Sequence, residues 1–382
     1  MANLWERLKG SFLADAPADQ TLQHLERNMS FFEGLRRIRN HKYRKRDLQY
    51  LVMLPILTYC FIVCAEPPAL FRICLALLLI YLCVVPATSQ FFLNFMPTGT
   101  YLLLFYVCRY INPKYRPPIY VRVLPGLETI FYGNDLSDTL AASPNTFFDI
   151  LAWLPYGLAH YGAPFVVSII LFLFGPPTYL STFHFTFGYM NVVGVATQIL
   201  FPNAPPWYRR LYGLAKADYS MHGSAGGLER IDRLLGTKLY TAGFEGNPMV
   251  FGAFPSLHSA DAVIEALFMS HLFPKLTPFF ILYVMWIWWS TMYLTHHYFV
   301  DLVGGGILSL VAFSLTRISS LPQVDVKKFG RWSYSKVNYG MPNEFHTGYD
   351  SVERRAYSIF DEEAQNDLAA NEGMIEMESN HL

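Results

Sequence analysis

Charge is what this sequence has least of. Only 15% of its 382 residues are Asp, Glu, Lys or Arg, and the 29 acidic and 29 basic side chains cancel. A zero balance provides no long-range field to gather nucleic acid or an acidic partner. Cysteine is scarce too. Cys60, Cys64, Cys74, Cys83 and Cys108 are the whole set, and none stands at metal-ligand spacing from a His or another Cys. We expect them to be small buried hydrophobes. No internal repeat is visible, which argues against the paired halves common in transporters. The first 47 residues hold no apolar run of the length a cleavable leader needs, so none is expected.

What takes the place of charge is hydrocarbon. Hydrophobic residues make up 53% of the chain and aromatics 16%, too much for an ordinary soluble domain. LQYLVMLPILTYCFIVCA (48–65) and ALFRICLALLLIYLCVVPA (69–87) approach the roughly 20 residues that cross a hydrocarbon core of about 30 Å. A third run reaches residue 108, with MPTG (96–99) leaving its crossing open. Further spans are expected near 148–174, 178–201, 257–273, 278–295 and 298–317, with breaks at GPP (175–177) and PKLTP (274–278). The expected fold is all-α, a polytopic membrane bundle of six to eight transmembrane helices.

Three regions follow. Residues 1–47 are polar and basic, and LQHLERNMSFFEGLRRI (22–38) reads as an interfacial amphipathic helix. Residues 48–317 form the membrane domain, in which 202–256 is a long connection rich in Gly, Pro and charge. Residues 318–382 are a polar tail, and its last 22 residues carry seven Asp/Glu and no Lys/Arg, a composition expected to be disordered. RRIRNHKYRKR (36–46) packs seven Lys/Arg just before the first span, which places the N-terminus in the cytosol. Parity then gathers 109–146, 202–256 and 295–298 on the lumenal side and returns the C-terminus to the cytosol. Arg109, Lys114, Arg116 and Arg122 run against the usual bias there.

Within this apolar background, STMYLTHHYFVD (290–301) and FGAFPSLHSADAVIEALF (251–268) stand out. Ser256 is a candidate N-cap, which puts His258 in a first helical turn, where free N–H groups favour an anion. One span descends from there and the next climbs back, so His258 and residues 295–301 return to one membrane face. His297 and Asp301 are four apart, and on a helix the carboxylate can orient the ring and leave its other nitrogen free to attack. A single histidine near a helix end is ordinarily structural. Three ionisable groups at one depth of a membrane domain point to function. Two imidazoles and a carboxylate suit phosphoryl chemistry with no metal or cofactor, and no acidic cluster is present to hold Mg²⁺.

PSLH (255–258) and the pattern Ser290-x6-His297-x3-Asp301 resemble the second and third signatures of the type 2 phosphatidic acid phosphatase superfamily. GAFPSLHSA, MYLTHHYFVDLVGG, FPNAPPWY and GGLERID resemble, more narrowly, the fungal inositol phosphorylceramide synthase catalytic subunits, over roughly residues 48–335. The resemblance implies a six-helix core with His297 as nucleophile, Asp301 as its orienting partner and His258 as acid/base. It implies transfer of phosphoinositol from phosphatidylinositol to ceramide through a phosphohistidine-type intermediate. The alternative is a lipid phosphatase with water as acceptor. It further implies a multi-pass protein of the Golgi membrane with a lumenal active site, a small regulatory membrane subunit, and sensitivity to the depsipeptide aureobasidin.

Two departures bear on phosphate binding. The superfamily's Lys-x6-Arg-Pro signature has only a misplaced echo in Arg109-x6-Arg116-Pro117, and the Arg expected after Ser290 is Thr291. The expected substrate-binding residues are therefore Arg230 first, then Arg209 and Arg210, with Ser256 at the helix start. His296, about 100° round from His297 on a helix, is expected to stand behind the reacting ring or to face the headgroup. The aromatics of FHFTFGYMN (183–191) border lipid tails or pack the bundle.

Overall fold

The computed structural model describes residues 2–13, 16, 25–43 and 45–339, so the acidic end of the tail lies outside the described residues. Eight apolar helices carry the architecture: α1 (Gln49–Val63), α2 (Ala69–Val84), α3 (Pro86–Val107), α4 (Thr146–Phe174), α5 (Tyr179–Leu200), α6 (Leu257–Leu272), α7 (Thr277–Tyr293) and α8 (Phe299–Ser319). Among the described residues the only β structure is isolated bridges. Arg46–Val63, Pro86–Tyr110, α4 and α8 are long and apolar enough to cross a membrane by themselves. The segment left open at MPTG is continuous helix, with Pro97 inside α3.

The outer surface identifies the solvent. Leu70, Phe71, Leu75, Leu77, Leu78 and Ile80 of α2 are all exposed, as are Phe279, Ile281 and Leu282 of α7 and Ile307, Leu310, Val311 and Leu315 of α8. A water-soluble protein does not show apolar area on that scale, whereas a helix in lipid satisfies its backbone internally and turns hydrocarbon outward. The chain is a multi-pass membrane protein. Cys60, Cys64 and Cys108 are buried as expected, but Cys74 is exposed and Cys83 only half-buried. Both lie on α2, which buries no residue at all.

Successive helices run up and down, which brings three connections to one end of the bundle. There Tyr120 N–H donates to Pro202 O at 2.9 Å, Asn203 N–H to Phe251 O at 2.8 Å and Trp207 N–H to Thr295 O at 2.9 Å. The connections at 109–146, 202–256 and 294–298 are thus one structure. The opposite end is closed by Phe12, of the helix Ala2–Leu13, against Phe174, Phe329 and Trp332. Beyond α8 the chain stays on the body, with Leu321 and Tyr334 buried.

The amphipathic helix expected over 22–38 is shorter where it is described, Phe31–Arg39. Ser30 accepts from Glu33 N–H and caps it, while Asn28 Oδ1 takes Ser30 N–H in a local turn. Such side-chain bonds compete with a helical backbone and set its start. The aromatics of 183–191 resolve as packing: Phe183 and Phe187 are buried in the main core cluster with Tyr179, Phe268 and Phe313.

Candidate active site

The helix that carries His258 is tied to the one that carries Asp301 along its whole upper half. Ser256 N–H donates to Asp301 O at 3.0 Å, Ser259 Oγ–H to Leu302 O at 2.6 Å, and Ser309 Oγ–H to Ala260 O at 2.6 Å. The approach requires glycine, because a Cβ on Gly305 would sit 2.1 Å from Ser256 O. Small residues and interhelical hydrogen bonds are how helices associate where lipid removes the hydrophobic driving force. Ser256 also caps α6 by accepting Ser259 N–H at 3.3 Å.

The turn between α7 and α8 is a Schellman cap. Thr291 O accepts His296 N–H at 2.9 Å and Met292 O accepts Thr295 N–H at 2.9 Å. Its left-handed residue is Thr295, at φ 65°. A β-branched residue there is strained by about 1–3 kcal/mol, a cost found where surrounding structure enforces it at functional sites. After this turn His296 and His297 diverge. His296 donates from Nε2 to Ala225 O at 2.9 Å, under the ring of Phe244 at 4.3 Å. Burial drives its imidazole down to about 3, against the pull of Ala225 O, so it is neutral at physiological pH.

His297 turns the other way. Its Nδ1 lies 3.3 Å from Asp301 Oδ2 and its Nε2 lies 3.0 Å from His258 Nδ1. His297 is buried and Asp301 fully enclosed, while His258 is half-buried at the cavity wall. With Asp301 ionised, the protons are assigned as follows: Nδ1–H of His297 donates to the carboxylate, and its Nε2 lone pair accepts Nδ1–H of His258. His258 is held by Tyr156 at 4.8 Å and His160 at 4.7 Å between ring centroids. Both come from the middle of α4, where Leu154–Ala159 forms a π-helical bulge, an irregularity frequent at functional sites.

A cavity of about 580 Å³ opens on these rings. Tyr101, Phe105, Tyr156, His160, Leu257, His258, Asp261, His296 and His297 line it from the bundle, and Leu239, Phe244 and Asn247–Val250 roof it from the long connection. No Lys or Arg among the described residues lines it, and no group of three or more His, Cys, Asp or Glu is placed to hold a metal ion.

The expected phosphate-binding cations lie elsewhere at this end of the bundle. Arg230 grips Asp149 through Nε at 2.9 Å and through a terminal nitrogen at 2.7 Å. Asp149 also accepts Tyr293 O–H at 2.9 Å. Arg209 pairs with Asp135 at 2.8 Å and Arg210 with Asp138 at 3.7 Å. Ser256 is fully buried in its capping role. Arg109 and Arg116 line a separate, adjoining cavity of about 210 Å³.

Sequence reasoning did not single out His160, Tyr156, Asp261 or Glu128. His160 is a lone ionisable residue in an apolar span, which is itself a signal. Glu128 is fully buried and accepts Val300 N–H at 2.7 Å, capping α8 from a separate helix, Val123–Tyr132. Burial raises its carboxyl, and the bonds from Val300 and Leu136 act against that rise.

Comparison with known proteins follows the geometry. A family model described as the PAP2 superfamily matches residues 129–315. The inositol phosphorylceramide synthase catalytic subunit of Saccharomyces cerevisiae is 51% identical over 338 residues, 88% of this chain and 83% of that protein. That of Schizosaccharomyces pombe is 48% identical, over 83% of this chain and 75% of its own length. The inositol phosphorylceramide synthase of Candida albicans is 47% identical, over 85% and 69% respectively. No solved structure matches the chain.

Proposed function

The chain belongs to the inositol phosphorylceramide synthase family, and from that premise we propose that it transfers phosphoinositol from phosphatidylinositol to ceramide with His297, His258 and Asp301 as its machinery. The observation that carries this reading is the unbroken relay from Asp301 through His297 to His258 at the cavity wall. His297 Nε2 attacks phosphorus, and the bond from phosphorus to the diacylglycerol oxygen breaks. That oxygen takes the Nδ1 proton of His258, leaving phosphoinositol on His297. The primary hydroxyl of ceramide then attacks phosphorus, its proton passes to His258, and the N–P bond breaks. Asp301 stabilises the positive charge that gathers on His297 during each transfer.

Two nitrogens 3.0 Å apart leave no room for a phosphorus atom. Substrate arrival must part the rings, so that the His258 N–H exchanges His297 for a phosphoryl or ester oxygen. The substrate's charge fits a site lined by imidazoles. A phosphodiester carries one negative charge, where a phosphomonoester carries about −1.5 to −2. It has less need of the Lys and Arg that the superfamily signatures supply and this chain lacks. Arg230 acts through Asp149 and Tyr293, bracing the start of the turn that aims His297. In this reading the N-terminal basic segment lies in the cytosol and the site end in the lumen, and the sequence resemblance implies the Golgi membrane and a small regulatory subunit.

Purified protein given labelled phosphatidylinositol should yield inositol phosphorylceramide only when ceramide is present. Removing the nucleophile in His297→Ala should cut turnover by at least about 10⁴-fold while insertion is retained. Inositol phosphate released at the same rate without ceramide would convert the assignment to a lipid phosphatase. An active His297→Ala would remove the nucleophile.

A further inference from the structure

Asp261 is a buried carboxylate that neither half-reaction uses. It lies three residues beyond His258 on α6, on the same face, with about 4.5 Å of helix rise between them. It is 5% exposed and lines the cavity beside Tyr101, Phe105 and Leu257. Oδ1 accepts from Asn191 Nδ2 at 2.7 Å. Oδ2 has no protein partner among the described residues and is not enclosed. A carboxylate in an apolar wall is costly unless donors reach it, and the protein supplies donors to one oxygen. Glu265, one turn further along, is buried behind the wall and does not line the cavity.

Resting on the transfer read above, we propose that Asp261 is the acceptor-recognition residue, its free oxygen taking hydrogen bonds from the amide N–H and secondary hydroxyl of ceramide. The reacting oxygen of ceramide is on C1 and must reach His258. The amide on C2 and the hydroxyl on C3 then lie one helical turn deeper, level with Asp261. Diacylglycerol presents only ester oxygens at those places. Facing a carboxylate, these acceptors leave the buried group unpaired, and a site built to receive donors discriminates strongly against a ligand without them. One side chain thus admits the acceptor and disfavours the departing alcohol.

The test uses purified full-length protein and measures kcat/KM for ceramide, N-methylceramide and 3-deoxyceramide at saturating phosphatidylinositol. Wild type should lose about 10- to 100-fold on each analogue, the range of a hydrogen bond to a charged group. Asp261→Asn, which keeps the shape against Asn191, and Asp261→Ala should raise the KM for ceramide by a similar factor. In both variants the penalty for the analogues should shrink to within about threefold. Exchange of labelled diacylglycerol into phosphatidylinositol, which needs no ceramide, should not fall in either variant and should rise severalfold as the carboxylate that its ester oxygens leave unpaired is removed. Wild type that uses the analogues as well as ceramide overturns the proposal whatever the variants do. So does a variant that keeps the full penalty, or one in which exchange falls in step with transfer. A wild type that transfers to no ceramide would instead remove the underlying transferase reading.

Discussion

Helices α2 and α6 are both 16 residues long and differ in almost everything else. α2 buries none of its residues, while α6 buries ten, among them Ser259, Asp261 and Glu265. In water the more apolar helix would be inside. Here it is outside, because lipid receives hydrocarbon as readily as a protein core does and only polar or tightly fitted surfaces gain from meeting each other. The wall that carries the candidate site is accordingly built from serine hydroxyls, glycine contacts and capped helix ends, and the perimeter from leucine.

That contrast can be broken at graded strengths. Gly305→Leu should do most damage, since the added side chain starts 2.1 Å from Ser256 O. α6 and α8 must separate, and we expect no folded protein in detergent by size-exclusion profile. Glu128→Ala should come next. It strands the Val300 N–H at the start of α8, with an expected cost of about 1–3 kcal/mol, read as a lowered thermal midpoint and a fall in transferase rate through displaced Asp301. Ser259→Ala removes one hydroxyl bond to Leu302 O, and about 0.5–1.5 kcal/mol should be lost in the same measurement. Leu77→Ala on the exposed face of α2 should change the midpoint least, by under about 0.5 kcal/mol. A large effect there would mean that α2 packs against something other than lipid.

The spans were legible because a membrane helix announces itself by length and composition, and α4 through α8 fall within a few residues of expectation. His297 and Asp301 were legible as a pair, but not for the helical reason expected, since His297 lies in the turn before α8 and reaches Asp301 in that helix's first turn from outside it; His258 was legible because PSLH carries a cap and a first turn together. What escaped was whatever depends on segments meeting from far along the chain. His160 and Tyr156 reach His258 from about 100 residues upstream, through a bulge that no periodicity encodes. Arg230 offered itself as a free cation because its partner Asp149 read as part of an apolar span. Asp261 stood in plain view three residues after His258, but only the cavity distinguishes it from an ordinary buried acid. Glu128 was hidden because its work is done on a backbone amide 172 positions away.

Thr295 has a consequence for how the chain varies. With its left-handed backbone fixed between Met292 and His296, the turn acts as an indexing notch, sending one imidazole toward Ala225 and the next toward His258 and Asp301. Deleting or adding a single residue between Thr295 and Asp301 would exchange the two rings or rotate the carboxylate off its mate. The length of this loop is therefore held as tightly as the identity of His297 within it.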